Sequence, residues 1–380
     1  MKKVLYIATV LSHICQFHLP YLKMFQERGY DVHVAAHDNL AEKNGLQLKY
    51  ANQRFEIPFQ RSPFKAKNIV AYKLLVEIID REQYDLIICN TPVGGILTRL
   101  AARKTRRKGT KVVYIAHGFH FYKGAPKKNW LIYYPIEKYF AKKCDMIITI
   151  NQEDYALACK KFKTKVVHLH GMGVDETRYS LGEASERLKK RELLGVNEQD
   201  FVALVVGELL PNKNQIQAIK AVEATLKTHQ NIKLWIAGNG PNFAVLEKYV
   251  QEHELQNYVK FLGYCTNLQE YQRLVDVGVS CSIREGLPLN VIESMMSGNT
   301  FIATKNRGHN QLIKDGETGF LVDVGDVSAL AEKLRVLMDD KELKMRLQNN
   351  AFNEMQLYTL SCALKEMENI YGELLLWQKE

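Results

Sequence analysis

Residues 284–298 read REGLPLNVIESMMSG and place two carboxylates, Glu285 and Glu293, eight positions apart. A strand-like run, residues 275–281, comes before them, and the second carboxylate lies on an apolar stretch of helical period. A loop between a strand and a helix binds phosphate groups, because the first amides of the helix are free to point at an anion. Amides for phosphates and separate carboxylates for hydroxyl groups suit a nucleotide sugar. The amides expected at the anion are those of Leu289, Asn290 and Val291.

The rest of the 380 residues alternates short apolar runs with amphipathic stretches from end to end. This alternation is typical of α/β proteins with parallel sheets, which right-handed crossovers make doubly wound. The chain has more residues than a single hydrophobic core usually contains, so two domains are expected. The predicted strands are residues 4–8, 32–36, 86–89, 112–116, 146–150 and 166–169, followed by 202–206, 233–237, 259–262, 275–281, 301–303 and 320–322.

The Glu-Gly pair, the carboxylate spacing and the trailing Ser-Gly resemble the E-x7-E signature of retaining glycosyltransferases of family 4, which have the GT-B fold. The resemblance implies two Rossmann-like, doubly wound domains that face a cleft. Residues 171–175 are similar to the family's hinge, so the domains are expected at 1–178 and 179–358. The resemblance also implies that an amphipathic C-terminal helix, residues 359–380, crosses back to the first domain.

By the same resemblance, the second domain holds the nucleotide sugar. Glu293 is expected to bind the ribose hydroxyls and Glu285 the donor sugar near its reacting carbon, whereas Lys213 matches the family lysine that binds the diphosphate. A cation there stabilises the leaving group without a metal. Glu208 stands where the family has an arginine, so either its side chain faces away or another basic residue compensates, with Arg284 as the candidate. The other donor-binding residues predicted beside the three amides are Gly207, Arg284 and Gly263.

Two histidines lie in a glycine-rich loop, residues 116–126, that follows a predicted strand of the first domain. Ligands of α/β proteins bind at the carboxyl ends of strands, and His117 matches the family histidine at the cleft. The resemblance assigns His117 to the hydroxyl groups of the donor sugar or to the reaction centre. His120 either orients the acceptor or packs, and His13 and His18, which follow the first strand, are further candidates. The predicted catalytic residues are His117, Glu285 and Lys213.

The whole net charge of +10 lies in one window. Residues 86–136 contain ten Lys and Arg but no Asp or Glu, and the rest of the chain has 42 residues of each sign. Aromatic residues are interleaved with these cations, which indicates an anionic membrane surface. The alternatives are a solvated helix face and a nucleic-acid surface, but no nucleic-acid motif is present, so no such partner is predicted. The predicted acceptor and membrane residues are His13, His120, Arg103, Lys104, Arg106, Arg107, Lys108, Lys123, Lys127, Lys128 and Trp130.

The seven cysteines show no metal-ligand spacing, so no metal is predicted. The family resemblance implies a UDP-sugar as co-substrate and no other cofactor. Scattered cysteines of this kind are typical of a reducing cytoplasm. No run of eighteen apolar residues exists, so no transmembrane helix is predicted. We therefore expect a cytoplasmic protein that binds peripherally to the inner face of the cell membrane.

Residues 116–126 and 129–143 look most like transferases that build bacterial exopolysaccharide or capsule repeat units. The predicted reaction moves a sugar from a UDP-sugar to an undecaprenyl-diphosphate-linked saccharide, with other polysaccharide-assembly enzymes as candidate partners. One alternative is a nucleotide-sugar epimerase of the same fold, which needs no acceptor. The other is a non-catalytic partner subunit, for which Glu208 is the best argument.

Overall fold

The computed structural model describes residues 1–42, 45–62 and 65–377. The chain divides into two compact units. The first unit is Met1–Met172 together with the segment from Ala363 onward, and the second is Gly173–Cys362. The chain thus leaves the first unit after residue 172 and returns to it at residue 363, whereas the domain limits expected from the sequence were residues 178 and 359.

The first unit is built on a seven-stranded sheet. Its strands are β1 (Lys3–Val10), β2 (Asp31–His37), β3 (Gln53–Glu56), β4 (Leu86–Asn90), β5 (Lys111–Ala116), β6 (Met146–Thr149) and β7 (Lys165–His168). They are all parallel and lie in the order β3-β2-β1-β4-β5-β6-β7. Its helices are α1 (Leu11–Phe17), α2 (Leu19–Glu27), α3 (Lys67–Glu82), α4 (Pro92–Ala101), α5 (Arg103–Arg106), α6 (Lys127–Ala141) and α7 (Gln152–Lys161).

The second unit repeats this plan with six strands. They are β8 (Phe201–Val206), β9 (Ile232–Ala237), β10 (Val259–Gly263), β11 (Val277–Ser280), β12 (Thr300–Thr304) and β13 (Phe320–Val322), in the parallel order β10-β9-β8-β11-β12-β13. The helices are α8 (Ala184–Leu193), α9 (Gln215–Leu226), α10 (Phe243–Glu252), α11 (Leu268–Gln272), α12 (Leu289–Met296), α13 (Arg307–Leu312), α14 (Val327–Asp339) and α15 (Lys341–Met355). A last helix, α16 (Leu360–Leu375), follows them.

The strand order reverses once in each sheet, between β1 and β4 and between β8 and β11. Such a reversal leaves a crevice at the carboxyl ends of the two strands, where doubly wound proteins bind their ligands. The strands are runs of buried apolar side chains because helices cover both faces of a parallel sheet. The predicted α/β, doubly wound fold is confirmed.

Two predicted local features differ from the structure. Strand β3 was not predicted, because this edge strand consists mainly of exposed polar residues and has no apolar run. The helix expected from the sequence at residues 17–28 corresponds to α2 alone, and a separate helix, α1, precedes it and meets it at His18. Pro20, in the first turn of α2, lacks the amide hydrogen that a continuous helix would need, so a new helix begins there.

Helix α16 packs on the first unit, as predicted for the C-terminal helix. Its residues Ala363, Met367 and Tyr371 recur at helical spacing and are fully buried. The Tyr371 ring lies 5.2 Å from that of Phe25, measured between centroids. Trp377 is the last described residue of this segment, and its indole N–H donates to the hydroxyl of Tyr30 at 2.8 Å. The predicted residues 378–380 lie outside the described residues.

Candidate active site

Two glycine-bearing loops interlock at the carboxyl ends of β8 and β9. Gly207 follows β8 with a φ of 153°, and Gly238 follows β9 with a φ of 139°. A Cβ atom on Gly238 would lie 2.0 Å from the carbonyl oxygen of Gly207, so only glycine fits there. The amide of Leu209 donates to the carbonyl of Asn239 at 2.9 Å and continues the contact. Gly207, predicted to bind the donor, therefore lies in a loop whose path is fixed by the adjacent loop after β9.

Lys213 and Glu285, two of the predicted catalytic residues, are in direct contact. Lys213 ends a short 3-10 turn after β8, and its Nζ donates to Oε1 of Glu285, in the loop after β11, at 2.5 Å. The amide of Ile283 donates to the carbonyl of Asn212 at 2.8 Å and fixes these two loops side by side. The side chains of Lys213 and Glu285 stay 26% and 14% exposed, so a ligand can reach both.

Helix α12 begins at Leu289, directly after the loop that carries Glu285. The side chain of Asn290 donates to the carbonyl of Val206 at 3.0 Å, so the first turn of α12 is tied to the end of β8. The prediction of a free amide at Val291 is wrong, because this amide donates to the carbonyl of Pro288 at 3.2 Å. The amides of Leu289 and Asn290 head the helix, where backbone N–H groups have no carbonyl one turn earlier to bond.

Glu293 lies one turn further along α12, beside Tyr179. Burial raises the pKa of Glu293 to about 7, and the nearby Arg178 and a hydrogen bond from the Tyr179 hydroxyl oppose this shift. Arg178 is itself held in place, since its Nη2 donates to the carbonyl of Thr266 at 2.8 Å. The carboxyl group of Glu293 is thus divided between its protonated and ionised forms near neutral pH.

A segment that the sequence analysis did not single out packs against Glu285. The side chain of Asn306 accepts hydrogen bonds from the amides of Gly308 and His309, both at 3.0 Å, and so caps the short helix α13. A Cβ atom on Gly308 would lie 2.8 Å from Cβ of Glu285, so glycine permits this close approach. His309 is buried, and its Nδ1 lies 2.6 Å from the carbonyl oxygen of Thr304. In the sequence, the signal for this segment was the Asn-x-Gly-His spacing of residues 306–309 directly after a buried strand.

The other predicted donor residues surround the same loops. Gly263 ends β10 with a φ of 67°, and its carbonyl accepts from the amide of Gly238 at 2.7 Å. The side chains of Glu208 and Arg284 are both exposed.

In the first unit, three histidines come together at the reversal of strand order. His13 lies on α1, His18 joins α1 to α2, and His117 follows β5. The Nε2 atoms of His13 and His117 are 3.2 Å apart. Nε2 of His117 also lies 3.2 Å from Oδ1 of Asn90, at the end of β4, whose Nδ2 donates to the carbonyl of Ile7 and so fixes the amide. His117 and His13, predicted separately, are therefore one constellation.

Burial holds these imidazoles neutral. It lowers the pKa of His13 to about 4 and the pKa values of His18 and His117 well below the ordinary value. The rings also disfavour each other's charged forms, since protonation of one would place a cation beside the others. Neutral imidazole offers one donor and one acceptor, so His117 can hydrogen-bond a hydroxyl group in either direction.

Helix α4 starts close to these histidines in a strained turn. Thr91 has a φ of 64°, unusual for a β-branched residue, and its hydroxyl lies 2.7 Å from that of Thr9. Cβ atoms on Gly94 and Gly95 would lie 3.2 Å from the amide nitrogen of Thr9 and 2.6 Å from the ring of Tyr114, respectively. Glycine at positions 94 and 95 thus allows α4 to pack closely against Thr9 and Tyr114.

His120 does not join the cluster. Its side chain is exposed, and its ring stacks on Tyr133 of α6 with centroids 4.6 Å apart. Its carbonyl accepts from the side chain of Asn129 at 2.9 Å. His120 therefore belongs to the surface around α6, apart from His117.

Two family descriptions match the chain, "Glycosyl transferases group 1" at residues 186–354 and "Glycosyl transferase 4-like" at residues 3–151. A Bacillus subtilis protein named "Putative glycosyltransferase EpsD" is 41% identical over 98% of this chain and 96% of its own length. The chain belongs to the GT-B glycosyltransferases. It is also 28% identical to an Escherichia coli UDP-Gal:α-D-GlcNAc-diphosphoundecaprenol α-1,3-galactosyltransferase, over 73% of this chain and 74% of that protein.

Solved structures agree with this fold. HepE from Anabaena, crystallised in complex with UDP, has a TM-score of 0.79 and 19% identity, covering 98% of this chain and 100% of HepE. A glycosyltransferase from Rickettsia africae has a TM-score of 0.79 and 18% identity over 99% of both chains. The family descriptions and the 41% identical relative confirm the predicted class of enzyme, a glycosyltransferase.

The basic window of this glycosyltransferase is not one continuous patch. Arg99 is fully buried, and its Nη2 donates to Oε2 of Glu137 at 2.9 Å. Lys104 pairs with Asp80 and Arg106 with Asp145, at 3.0 and 2.9 Å. The cations divide into residues 103–108, which precede β5, and residues 123–128, which follow it, so they lie at opposite ends of this strand.

The aromatic residues of the window also differ from the prediction of a lipid-facing set. Phe119 and Phe121 are buried in the core, and their rings stack 4.9 Å apart. Trp130 packs against the same core, and its indole N–H donates to the carbonyl of Tyr122 at 3.1 Å. These rings fill the space between α6 and the sheet, which is why the sequence holds so many of them.

The outer face of α6 carries the surface features that remain. Its exposed residues recur at helical spacing and combine cations with apolar groups: Lys128, Leu131, Ile132, Pro135, Lys138 and Tyr139. Leu131, Ile132 and Tyr139 are 77%, 45% and 56% exposed. The acid of α6, Glu137, points inward to Arg99, so the outer face is basic and apolar. Among the described residues, no helix has the length and apolar character to cross a membrane.

Proposed function

We propose that this glycosyltransferase retains the anomeric configuration and moves a sugar from a UDP-sugar to an undecaprenyl-diphosphate-linked saccharide in exopolysaccharide or capsule assembly. The observation that carries the proposal is the Lys213–Glu285 pair beside the first turn of α12. It brings a cation, helix amides and a carboxylate together within one unit. These are the groups that bind a diphosphate and an adjacent sugar.

The donor binds along α12 in this proposal. Its diphosphate contacts Lys213 and the amides of Leu289 and Asn290, and its ribose hydroxyls donate to Glu293. Glu285 lies on the side of the sugar because its carboxylate is beside Lys213. The HepE structure with UDP supports a nucleotide donor for this fold.

Departure of the diphosphate leaves positive charge on the anomeric carbon and negative charge on the phosphate. Lys213 stabilises the phosphate and Glu285 the anomeric carbon, each through a charge already in place. In the free protein these two side chains neutralise each other. Binding of phosphate draws Lys213 toward the ligand and releases the carboxylate for the sugar. The leaving phosphate takes the proton of the acceptor hydroxyl, so the step needs neither a covalent nucleophile nor a metal.

His117 is assigned to the hydroxyl groups of the donor sugar or to the reaction centre. Burial holds its ring neutral, and Asn90 and His13 fix its orientation. A neutral, oriented imidazole binds a hydroxyl group without adding a charge next to the developing cation.

Two relatives support the lipid-linked acceptor. The Escherichia coli galactosyltransferase named above acts on a diphosphoundecaprenol-linked sugar, according to its name. A Campylobacter jejuni N-acetylgalactosaminyltransferase named for a diphosphoundecaprenol-linked saccharide is 32% identical over 47% of this chain and 49% of its own length. We further propose that the outer face of α6 contacts the anionic inner surface of the cell membrane, which would present such an acceptor.

The first experiment measures thermal stabilisation of the full chain by nucleotides and nucleotide sugars. A ligand at 100 times its Kd adds about 2.7 kcal/mol to the free energy of unfolding. We expect selective stabilisation by UDP and by one or more UDP-sugars. No stabilisation by any nucleotide would contradict the proposal and favour a non-catalytic subunit.

The second experiment compares Lys213→Ala with the matched variant Lys248→Ala. Both lysines pair with a glutamate, but Lys248 lies on α10, away from the donor loops. We expect Lys213→Ala to lower the transfer rate about 100-fold, because it removes the cation at the leaving group. Lys248→Ala should transfer sugar at the original rate. Equal rates for both variants, or conversion of the donor without any acceptor, would contradict the proposed transfer.

A further inference from the structure

The three histidines of the first unit form a cluster whose nitrogen atoms face one another. One ring nitrogen from each of His13, His18 and His117 lies within 4.8 Å of the other two. His13 and His18 lie five positions apart on and just after α1, and the fold brings His117, which follows β5, to them where the strand order reverses. The contact of His117 with the other two histidines is therefore a feature of the fold rather than of a local turn.

His18 is the unusual member of the cluster. Its side chain is fully buried, and neither of its ring nitrogens has a hydrogen-bond partner among the described residues. Its ring centroid lies 5.4 Å from that of His13 and 5.5 Å from that of His117. Burying a polar group without a partner costs free energy, and a ligand bound to the His18 imidazole would offset this cost.

The spacing of the other two rings suits a metal ion. Zinc binds imidazole nitrogen at about 2.0–2.1 Å in tetrahedral sites, which places two such nitrogens about 3.3 Å apart. The Nε2 atoms of His13 and His117 are 3.2 Å apart. A ring nitrogen of His18 lies within 4.8 Å of a ring nitrogen of each of the other two, so binding of the ion requires the His18 side chain to move toward the same centre. A water molecule can occupy the fourth position, which no side chain of the cluster fills.

The ligand type indicates which ions fit. The cluster offers imidazole nitrogens and no carboxylate or thiolate. Imidazole suits Zn²⁺ and its neighbours Co²⁺ and Ni²⁺, whereas Mg²⁺ and Ca²⁺ prefer oxygen ligands. We propose that His13, His18 and His117 bind one Zn²⁺-class ion in a three-histidine site with one open coordination position.

This ion is an inhibitor of sugar transfer rather than a cofactor. An ion held on Nε2 of His117 adds positive charge next to the developing cation at the anomeric carbon, so occupation of the site opposes the role assigned to the neutral His117 ring. This consequence rests on the proposed function, whereas binding of the ion does not.

Binding is tested with zinc chloride and cobalt chloride on the full chain. Calorimetry with zinc should give one ion per chain, and the visible spectrum of cobalt should become that of a tetrahedral site without a thiolate charge-transfer band. We expect His18→Gln and, independently, His13→Asn to weaken zinc binding at least 10-fold. The matched control His253→Gln removes an exposed histidine that pairs with Glu223, and it should bind as the original protein does. Circular dichroism confirms that each variant is folded.

Absence of a bound ion, a thiolate band, or unchanged affinity in both His13→Asn and His18→Gln would overturn the site. Two variants are used because His18 is buried and His13 is half-buried, so a folding defect in one does not prevent the test. Zinc should also stop sugar transfer, and a chelator should restore it. Full transfer with the ion bound would overturn the inhibitory role, whereas absence of transfer in metal-free protein would contradict the proposed function and leave the binding result standing.

Discussion

At the scale of single residues, the chemistry of the proposed donor site depends on which groups each side chain contacts in the folded chain. Glu293 was identified by its spacing from Glu285, but its protonation was decided by burial beside Tyr179. An ordinary glutamate is ionised at neutral pH, whereas this one is ionised only in part. A ribose hydroxyl donates more strongly to the ionised form. Binding of the nucleotide should therefore depend on pH.

We expect the affinity for a UDP-sugar to rise as pH increases from 6 to 8, because the pKa of Glu293 is about 7. A UDP-sugar is the appropriate probe, since its diphosphate has no ionisable proton in this range. Glu293→Gln should bind roughly 10-fold more weakly at pH 8, as for loss of a hydrogen bond to a charged group, and should show no dependence on pH. Calorimetric titrations at each pH measure both effects.

Tyr179→Phe is the companion variant. The Tyr179 hydroxyl lowers the pKa of Glu293, so its removal should shift the midpoint of the affinity change to higher pH. The contribution of Glu293 to the free energy of unfolding changes with pH in the direction opposite to the affinity for the UDP-sugar. A raised carboxyl pKa stabilises the folded state at pH values below the ordinary pKa, and this contribution is lost as pH rises through 7. An unchanged pH profile in Glu293→Gln would contradict the assignment.

At the scale of secondary-structure elements, the packing of α4, α6 and β5 explains the acid-free window. Arg99 joins the elements, since its Nε donates to the carbonyl of Gly95, its Nη2 to Glu137, and its guanidinium stacks on Tyr114. This arginine therefore contributes nothing to a surface patch. The sequence could not reveal this, because its partner Glu137 lies just outside the window.

We expect Glu137→Gln to lower the free energy of unfolding of the first unit by about 3–5 kcal/mol, because it leaves Arg99 buried without its counter-charge. The double variant Arg99→Met, Glu137→Leu should be much closer to the original protein, since it buries apolar groups instead. Lys104→Ala is the control, as its pair with Asp80 is exposed and contributes about 0–1 kcal/mol. Urea unfolding followed by circular dichroism measures all three. Equal stabilities of the Glu137 and Lys104 variants would contradict the prediction.

The outer face of α6 leads to a second prediction at this scale. We expect Lys128→Glu with Lys138→Glu, and separately Leu131→Ser with Ile132→Ser, to lower binding to vesicles containing anionic phospholipid about 10-fold. Cations attract the headgroups, and the exposed apolar side chains enter the interface. Sedimentation with anionic and with zwitterionic vesicles separates the two contributions.

Exposed lysines of the second unit provide the matched control. Lys189→Glu with Lys260→Glu changes the net charge by the same amount and should leave vesicle binding unchanged. Neutralising residues 103–108 should have a smaller effect than changing α6, because Lys104 and Arg106 already have acidic partners. Loss of binding in the control pair would indicate a response to net charge alone.

At the scale of the whole molecule, the chain uses one plan twice. Both sheets are parallel and reverse their strand order once, and the predicted catalytic residues follow strands at or next to that reversal, His117 after β5, Lys213 after β8 and Glu285 after β11. The chain then returns to the first unit through α16, which buries Met367 and Tyr371 there. The first unit therefore needs residues from both ends of the chain for its stability.

We expect Met367→Ala to destabilise the first unit by about 2–5 kcal/mol, as for truncation of a fully buried methionine. Leu376→Ala, at a residue 87% exposed in the same segment, should have no effect. A UDP-sugar identifies the unfolding transition of the second unit, because it should still stabilise that unit in Met367→Ala. Differential scanning calorimetry with and without the nucleotide measures this. Equal destabilisation of both transitions would show that the units do not unfold separately.

The sequence by itself determined the fold class and the residue types from which the donor site is proposed. Apolar runs mark buried parallel strands because both of their faces are covered, and the spacing of Glu285 and Glu293 on one loop and helix is local information. Lys213 was also predictable from its local motif, but its contact with Glu285 joins residues 72 positions apart.

Only the tertiary structure decided which side chains meet and which of them reach solvent. It brought His13 and His18 to His117, buried Arg99 and Phe121, and exposed Leu131. A linear sequence specifies residue types and local periodicity, but long-range packing sets the burial and the partners of each group. Desolvation and nearby charges then set its protonation, and with it the chemistry that the group can perform.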